Sequence, residues 1–344
     1  MYDLKSQIVL KKIACLLVLF SFLMTMFVFA QSADEIKQQE EQTKHWASRI
    51  HTGGEKNNFS GTFVVVSSQE ISSLKTVQAY MDGQTYELVI RLDGPPLEVY
   101  KVGHMLYTVY PENKFILLER DSLTQVFPVL LRFDHQGLER FYTIRAVGNE
   151  RVVDRLTDVI EIEPKDQWRF RFKVWLDQVS GVLLRGQVFD HSGQLLIQIT
   201  FSDIQIGLQP EELRNLKDYK NILQQQDYQL KELNANQESN VPLTEKGPWK
   251  SKEPVPGFKA IHHVKTLLLE TSSELDQWIF TDGMVSVSVF IEPVSSDMTA
   301  QDPIYSVDGI THSLSLFKER YKITLVGEVP QETLKQFVQQ LNLQ

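Results

Sequence analysis

The chain is predicted to be a mainly β protein with a few helices: an antiparallel meander first, then a smaller α+β unit. Three observations carry this expectation. Strand-period patterning begins at Ser60 and hardly stops until Gly207. Turn residues punctuate it at hairpin spacing, as in Asp82-Gly83, Asp177-Gln178-Val179-Ser180-Gly181 and Asp190-His191-Ser192-Gly193. After a Gln/Asn-rich stretch, β-patterning resumes at residue 248 and closes on a helical pattern.

The first segment reads as an export signal. Lys5, Lys11 and Lys12 precede an apolar run over residues 13–30, the small Ala30 suits a cleavage site, and the sequence turns polar from Gln31. An uncleaved membrane anchor is the alternative, because the run is close to the shortest length that spans a bilayer. Cys15, the single cysteine, lies in this segment, and Lys12 stands where a lipoprotein signal needs an aliphatic residue. The mature chain then has no thiol, so it is neither a disulfide scaffold nor a thiol enzyme.

Residues 32–52 are predicted to be helical, with Ile36, Trp46, Ala47 and Ile50 on the apolar side. Asp82-Gly83 joins two strands, Asp93-Gly94-Pro95-Pro96 breaks the pattern, and Glu112-Asn113 turns it again. Residues 121–140, rich in Leu and Phe and interrupted by Pro128, form a short helix or a flap. Residues 31–210 are read as one domain. Residues 211–247 are read as a linker, helical at its start and of linker composition from Asn234 to Gly247. Residues 248–344 are the smaller domain. There Asp282-Gly283 separates strands over 276–281 and 284–291, residues 321–326 make another strand, and 329–341 make a closing helix with Pro330 in its first turn.

Composition excludes whole classes of function. Lys and Arg number 35 against 44 Asp and Glu, a formal net charge of −9. A chain this acidic does not bind nucleic acid through a general phosphate field. His262 and His263 are adjacent, so a strand points them to opposite faces and they cannot share a metal. The sequence holds neither a His-Glu-x-x-His helix nor a Gly-x-Ser-x-Gly elbow. The reading is therefore of a non-enzyme, without metal or cofactor, that works by binding.

Two sets of residues are candidates for that binding. In Trp168-Arg169-Phe170-Arg171-Phe172-Lys173-Val174, a strand puts Trp168, Phe170, Phe172 and Val174 on one face and the cations on the other. The apolar face is either ordinary core or the wall of a cavity for acyl chains. In residues 284–291, Val285, Val287, Val289 and Ile291 point one way and Met284, Ser286, Ser288 and Phe290 the other. The valine face should meet the closing helix. Ser286, Ser288 and Phe290 then form either a strip that captures an extended peptide or a plain surface covering the sheet.

Several short stretches, in order along the chain, resemble one family. They are Asn58-Phe59-Ser60-Gly61-Thr62-Phe63 after the Trp46 helix, Leu92-Asp93-Gly94-Pro95-Pro96 with Glu98-Val99, and Arg151-Val152 with Pro164-Lys165-Asp166. Val174-Trp175-Leu176-Asp177 with Ser180-Gly181-Val182-Leu183-Leu184 follows, then Asp282-Gly283 with residues 285–292, then Val326-Gly327-Glu328-Val329-Pro330. The chain resembles the RseB/MucB family of periplasmic regulators of the envelope-stress sigma-E factor. The resemblance implies a large half-open antiparallel sheet, or half-barrel, around a helical plug, similar to the LolA lipoprotein carrier, with a smaller α+β domain after it. It also implies a periplasmic negative regulator that binds the periplasmic part of an anti-sigma factor of RseA/MucA type. Such a regulator shields its partner from site-one proteolysis and is released by a lipid-like signal, whether lipid, lipopolysaccharide or lipoprotein. The alternative is a periplasmic carrier or chaperone for lipid or lipoprotein, and a homodimer stays open in either case. The chain departs from the family pattern at three places: Asp154 stands where glycine is usual, Phe170-Arg171 replaces Tyr-Gly, and residues 309–317 lack an expected arginine.

Overall fold

The computed structural model describes residues 35, 37–54, 56–119, 138–233, 238–240, 243, 247–268, 273–294 and 302–343. The export signal at 1–30 and the flap at 121–137 lie outside the described residues. Two open sheets make up the architecture. The large sheet has twelve strands in the order β12 (Gln229–Leu233), β6 (Phe115–Glu119), β5 (Met105–Tyr110), β4 (Glu98–Val102), β3 (Gln84–Arg91), β2 (Ile71–Met81), β1 (Phe59–Ser67), β11 (Leu195–Ile206), β10 (Leu183–Phe189), β9 (Arg171–Asp177), β8 (Arg155–Pro164) and β7 (Tyr142–Val152). Its first eleven strands in chain order run from β1 (Phe59–Ser67) to β11 (Leu195–Ile206), and β12 (Gln229–Leu233) joins the edge at β6 (Phe115–Glu119) as the sheet's parallel pair. The end strands β12 and β7 (Tyr142–Val152) are not paired to each other, so the sheet is half-open rather than a closed barrel. The small sheet has seven strands in the order β13 (Glu238–Asn240), β14 (Lys259–Leu268), β15 (Ser273–Thr281), β16 (Ser286–Pro293), β19 (Tyr321–Gly327), β18 (Thr311–Lys318) and β17 (Ile304–Asp308).

The meander follows its turn residues. Asp82 and Gly83 have φ of 54° and 81° between the paired Met81 and Gln84, the backbone of a two-residue hairpin turn. The turn from β9 (Arg171–Asp177) to β10 (Leu183–Phe189) is built on Asp177, which accepts hydrogen bonds from the Ser180 backbone N–H (2.8 Å) and hydroxyl (2.7 Å). Helix α1, residues 37–54, lies against this end of the sheet with Thr43, Ala47 and Ile50 buried. Its Arg49 donates to the Gln178 carbonyl at 2.7 Å and pairs with Asp158 at 3.0 Å. Gly53 ends the helix so close to the turn that a Cβ there would sit 2.0 Å from the Gly181 oxygen.

Residues 211–233, read from composition as linker, carry structure. Helix α2 (Pro210–Gln225) starts with proline at its first position and a backbone bond from Gln209 N–H to the Glu212 carboxylate (2.9 Å). Its Leu216 and Leu223 are buried against Tyr86, Tyr100, Tyr107, Ile116 and Leu118 of the large sheet, a core of its own. Tyr219 hydrogen-bonds Glu98. The chain then adds β12 to the large sheet and β13 (Glu238–Asn240) to the small one at β14 (Lys259–Leu268), so the connection edges both sheets.

In the small sheet, β16 (Ser286–Pro293) buries Val287, Val289 and Ile291 against Leu334 and Phe337 of the closing helix α3 (Gln331–Gln339). The expected two-residue turn at Asp282-Gly283 is longer. Strand β15 (Ser273–Thr281) ends before Asp282, and Met284 and Val285 belong to the connection. Met284 is therefore buried in the core rather than on the serine face where strand alternation placed it. One apolar core runs through both sheets, joining Phe170, Phe172 and Val174 to Trp249, Phe280 and Phe337.

Candidate functional site

The aromatic stripe does not run as a strand from residue 168, because β9 begins only at Arg171. The alternation that would send Arg169 to solvent fails there, and its side chain is fully buried between the two sheets. Its Nε donates to Asp282 Oδ2 at 2.6 Å, Nη1 to Asp166 at 2.5 Å, and Nη2 to the Pro256 carbonyl at 2.7 Å. The guanidinium lies 4.5 Å from the Phe141 ring centre and 4.9 Å from that of Phe258. Gly257 permits this approach, since a Cβ there would meet Arg169 Nη2 at 2.6 Å.

Asp282 is the other half of this junction. Its Oδ2 accepts from Arg169 and from the Tyr142 hydroxyl (2.8 Å), and its Oδ1 from the backbone N–H of Met284 (2.8 Å) and Val285 (3.0 Å). Burial, then the neighbouring Asp282 charge, holds the Tyr142 phenol well above its usual range, so it stays a donor. The Thr333 hydroxyl at the start of α3 donates to the Trp168 carbonyl at 2.8 Å. Phe170 meets His312 of β18 (Thr311–Lys318) edge-on at 5.7 Å, and burial lowers the pKa of His312 below its ordinary value. Charge, hydroxyl and ring contacts thus all cross between the sheets at one place.

Of the cavity candidates, Phe170, Phe172 and Val174 are at most 3 % exposed and sit in the continuous core, while Trp168 is half-buried. Arg171 and Lys173 are half-exposed, as alternation predicts, Arg171 in an ion pair with Glu163. The residues sequence reasoning missed are Arg169, Asp282, Tyr142 and His312. The contacts of Arg169 and Tyr142 with Asp282, and of His312 with Phe170, each span more than a hundred positions, and the Asp-Gly turn signal alone gave Asp282 an ordinary local role.

The partner-binding candidates share one face. Strand register sets Ile279, Ser288, Val326 and Ser313 in one cross-strand row, and Gln277, Phe290, Thr324 and Ser315 in the next. Ser286 pairs with Thr281. The face carries hydroxyls beside Ile279 and Val326, with Phe290 half-buried on it opposite the valines and Phe317 on the same side one row further on. The junction is built by Arg169, Asp166, Tyr142, Asp282 and the backbone of Met284 and Val285, and Ser286 follows directly on Val285 at the start of β16. An open pocket of about 470 Å³ lies between α1 and the 178–181 turn, lined by His45, Arg49 and Val179 among others. Its one guanidinium is already tied to Asp158 and to Gln178.

Comparison with known proteins covers the same length of chain. A family model described as the MucB/RseB N-terminal domain matches residues 42–229, and one described as the MucB/RseB C-terminal domain matches residues 244–342. The chain belongs to the MucB/RseB family. A sigma-E factor regulatory protein RseB of Haemophilus influenzae is 26% identical over 285 residues, 83% of this chain and 86% of that protein. The sigma factor AlgU regulatory protein MucB of Pseudomonas aeruginosa is 27% identical over 301 residues, 85% of this chain and 88% of its own. Among solved structures, the complex of P. aeruginosa MucA/MucB superposes with a TM-score of 0.64 at 26% identity, covering 86% of this chain and 96% of that one. MucB in complex with MucA(peri) gives 0.63 at 25%, covering 87% and 97%. The two matched MucB/RseB segments leave residues 230–243 between them, where the chain passes from β12 to β13.

Proposed function

We propose that this protein is a periplasmic negative regulator of an envelope-stress sigma factor. It binds the periplasmic part of a membrane-spanning anti-sigma factor, keeps that segment from site-one proteolysis, and lets go when a lipid-like ligand engages it. The observation that carries the reading is that similarity to regulators, one of them (MucB) solved twice with MucA, spans both sheets and not the large sheet alone. A simple lipid carrier has no evident need of the small sheet; a shield for a peptide does.

The junction supports the way such a regulator would switch. Phe170 meets His312 of the small sheet, and Phe172 and Val174 are buried in the core that runs through both sheets, so an acyl chain reaches them only by displacing what packs there. A ligand that favours parted sheets and a partner that favours closed ones must weaken each other by the same factor, typically about 1–3 kcal/mol. The test is direct. The mature protein is mixed with the purified periplasmic segment of the cell's own anti-sigma factor, and cleavage by the site-one protease is followed with and without added lipopolysaccharide. Binding at micromolar protein, slowed cleavage and restored cleavage with the lipid are expected. Absence of binding overturns the regulator, and binding without protection overturns the shield.

A further inference from the structure

The four outer strands of the two sheets are not equally guarded. On the large sheet, β7 is interrupted by a bulge at Ala146/Gly148 and carries Arg145, Glu150 and Arg151 on its exposed run. Strand β12 carries Lys231 and Glu232. On the small sheet, β13 carries Glu238. Charge and bulges are among the devices that keep an edge from pairing with another chain. Strand β17 (Ile304–Asp308) has none of them over its first four residues. All five of its residues are exposed, Ile304 at 60%, Tyr305 at 41% and Val307 at 48%.

The backbone geometry of β17 is that of an open ladder. Among the described residues the strand pairs with β18 on one side only. The Val307 carbonyl turns away from β18, where it meets the Gln69 amide at 3.4 Å, a long hydrogen bond from an exposed turn. Alternation along an antiparallel strand puts the N–H and C=O of Tyr305 on that same outer side. The face is continuous with the Phe290 face as well: the row Gln277, Phe290, Thr324, Ser315 ends on Ile304, and the next row ends on Ser306. Exposed Asp302 and Asp308 bracket the strand. Lys335 of α3 lies 5.5 Å from the Tyr305 ring centre, but its charge is matched by Glu332, so an incoming chain meets mainly apolar side chains in the middle and negative charge at both ends.

We propose that β17 is a docking edge. An extended segment of the anti-sigma factor's periplasmic region, with apolar residues at alternate positions and cations near its ends, pairs with it as an eighth strand of the small sheet. This rests on the regulator reading above and names where the partner sits. Backbone pairing supplies affinity, and Ile304, Tyr305 and Val307 select the alternation. The charge pattern favours a basic segment over a second copy of this acidic chain.

The test measures binding of the fluorescently labelled periplasmic segment to the mature protein and to Val307→Pro, which removes one outward N–H, and Tyr305→Lys, which puts a charge on the edge. Amide exchange at Tyr305 and Val307 is followed in the unaltered protein with and without the segment. At least tenfold weaker binding by both variants, and slowed exchange at both amides in the complex, are expected. Should Val307→Pro fail to fold, the exchange measurement on the unaltered protein decides. Full affinity in the variants, or unchanged exchange while the segment is bound, overturns the docking edge and leaves the regulator standing. Slow exchange that depends on protein concentration without the segment assigns the edge to self-pairing and overturns the proposal. No binding by the unaltered protein removes the regulator and this site together.

Discussion

Arg169 and Asp282 pair at 2.6 Å with both side chains wholly out of solvent, across 113 positions of sequence and from one sheet to the other. Burying two charges is costly, and the attraction offsets that cost only when every remaining polar atom is also satisfied. Here it is: Arg169 spends its fork on Asp282, Asp166 and the Pro256 carbonyl, and both Asp282 oxygens accept two bonds. Such a network fixes how the sheets meet more than it adds net stability.

Removing one partner leaves an uncompensated buried charge. Arg169→Met and Asp282→Asn should each cost about 3–5 kcal/mol. Denaturant unfolding of the purified variants measures this, and two separated transitions are expected as the small sheet comes free of the large one. A midpoint equal to that of the unaltered protein would show that the pair does not hold the sheets together.

Phe170→Ala tells core from cavity. At 3 % exposure, with its ring against His312, the side chain should behave as packed core and cost about 3–5 kcal/mol. Trp168→Ala, at a half-buried position, should cost less. A loss below about 1 kcal/mol for Phe170→Ala would mean the ring is already in contact with solvent or lipid in the free protein.

Acid should loosen the junction before it unfolds the meander. Burial holds the His312 pKa below its ordinary 6.5, so the folded protein resists the proton that the unfolded chain accepts. Its contribution is full well above that value, falls as pH drops through 6.5, and levels off below the folded pKa. Asp177 acts lower. Burial raises its pKa, but the Arg155 and Ser180 hydrogen bonds outweigh this and hold it below 3.8, so its contribution is lost only as pH falls beneath that value. Stability measured at about pH 7 and about pH 5 should decline, and His312→Gln should flatten the decline. An equal decline in the variant would remove His312 from the acid response.

The departure at Asp154 carries a backbone cost. Val153 and Asp154 have φ of 50° and 60° in the two-residue turn from β7 to β8 (Arg155–Pro164), a conformation glycine adopts freely. The Arg151–Asp154 ion pair that comes with the substitution is exposed and contributes little. Asp154→Gly should stabilise the protein by up to about 1 kcal/mol. A lower melting temperature would show that the ion pair outweighs the strain.

What could be read from the sequence was local. Asp82-Gly83, Asp177–Gly181 and Asp190–Gly193 sit at turns, and the face of Val287, Val289 and Ile291 meets the closing helix, because each depends on spacing within a few residues. What could not be read depends on the other sheet. Arg169 sits in a sequence that alternates like a strand, but its buried carboxylate partner draws it out of that pattern. The helical start of residues 211–247 was legible, but not that Leu216 and Leu223 of α2 pack on Tyr86, Tyr100, Tyr107, Ile116 and Leu118 of the large sheet. The β17 edge gave no signal because exposure is a property of neighbours, which sequence spacing does not contain.

Phe290 separates two ways in which a partner could use the small sheet. It lies on β16, with β19 (Tyr321–Gly327) and β18 between it and β17, so a strand added beyond β17 passes about 19 Å away. A partner that only extends the sheet leaves Phe290 untouched. A partner that also folds back over the hydroxyl face covers it, beside Ser286 and Ser288. Phe290→Ala should weaken binding of the anti-sigma factor's periplasmic segment by at least about 1 kcal/mol, the threshold for an interface residue that matters, with the melting temperature nearly unchanged. Combined with Tyr305→Lys, the losses should add, because the two positions share no contact. Unchanged affinity for Phe290→Ala beside a strong loss for Tyr305→Lys confines the partner to the edge. A large drop in melting temperature returns Phe290 to the core, and its serine neighbours then have no part in binding.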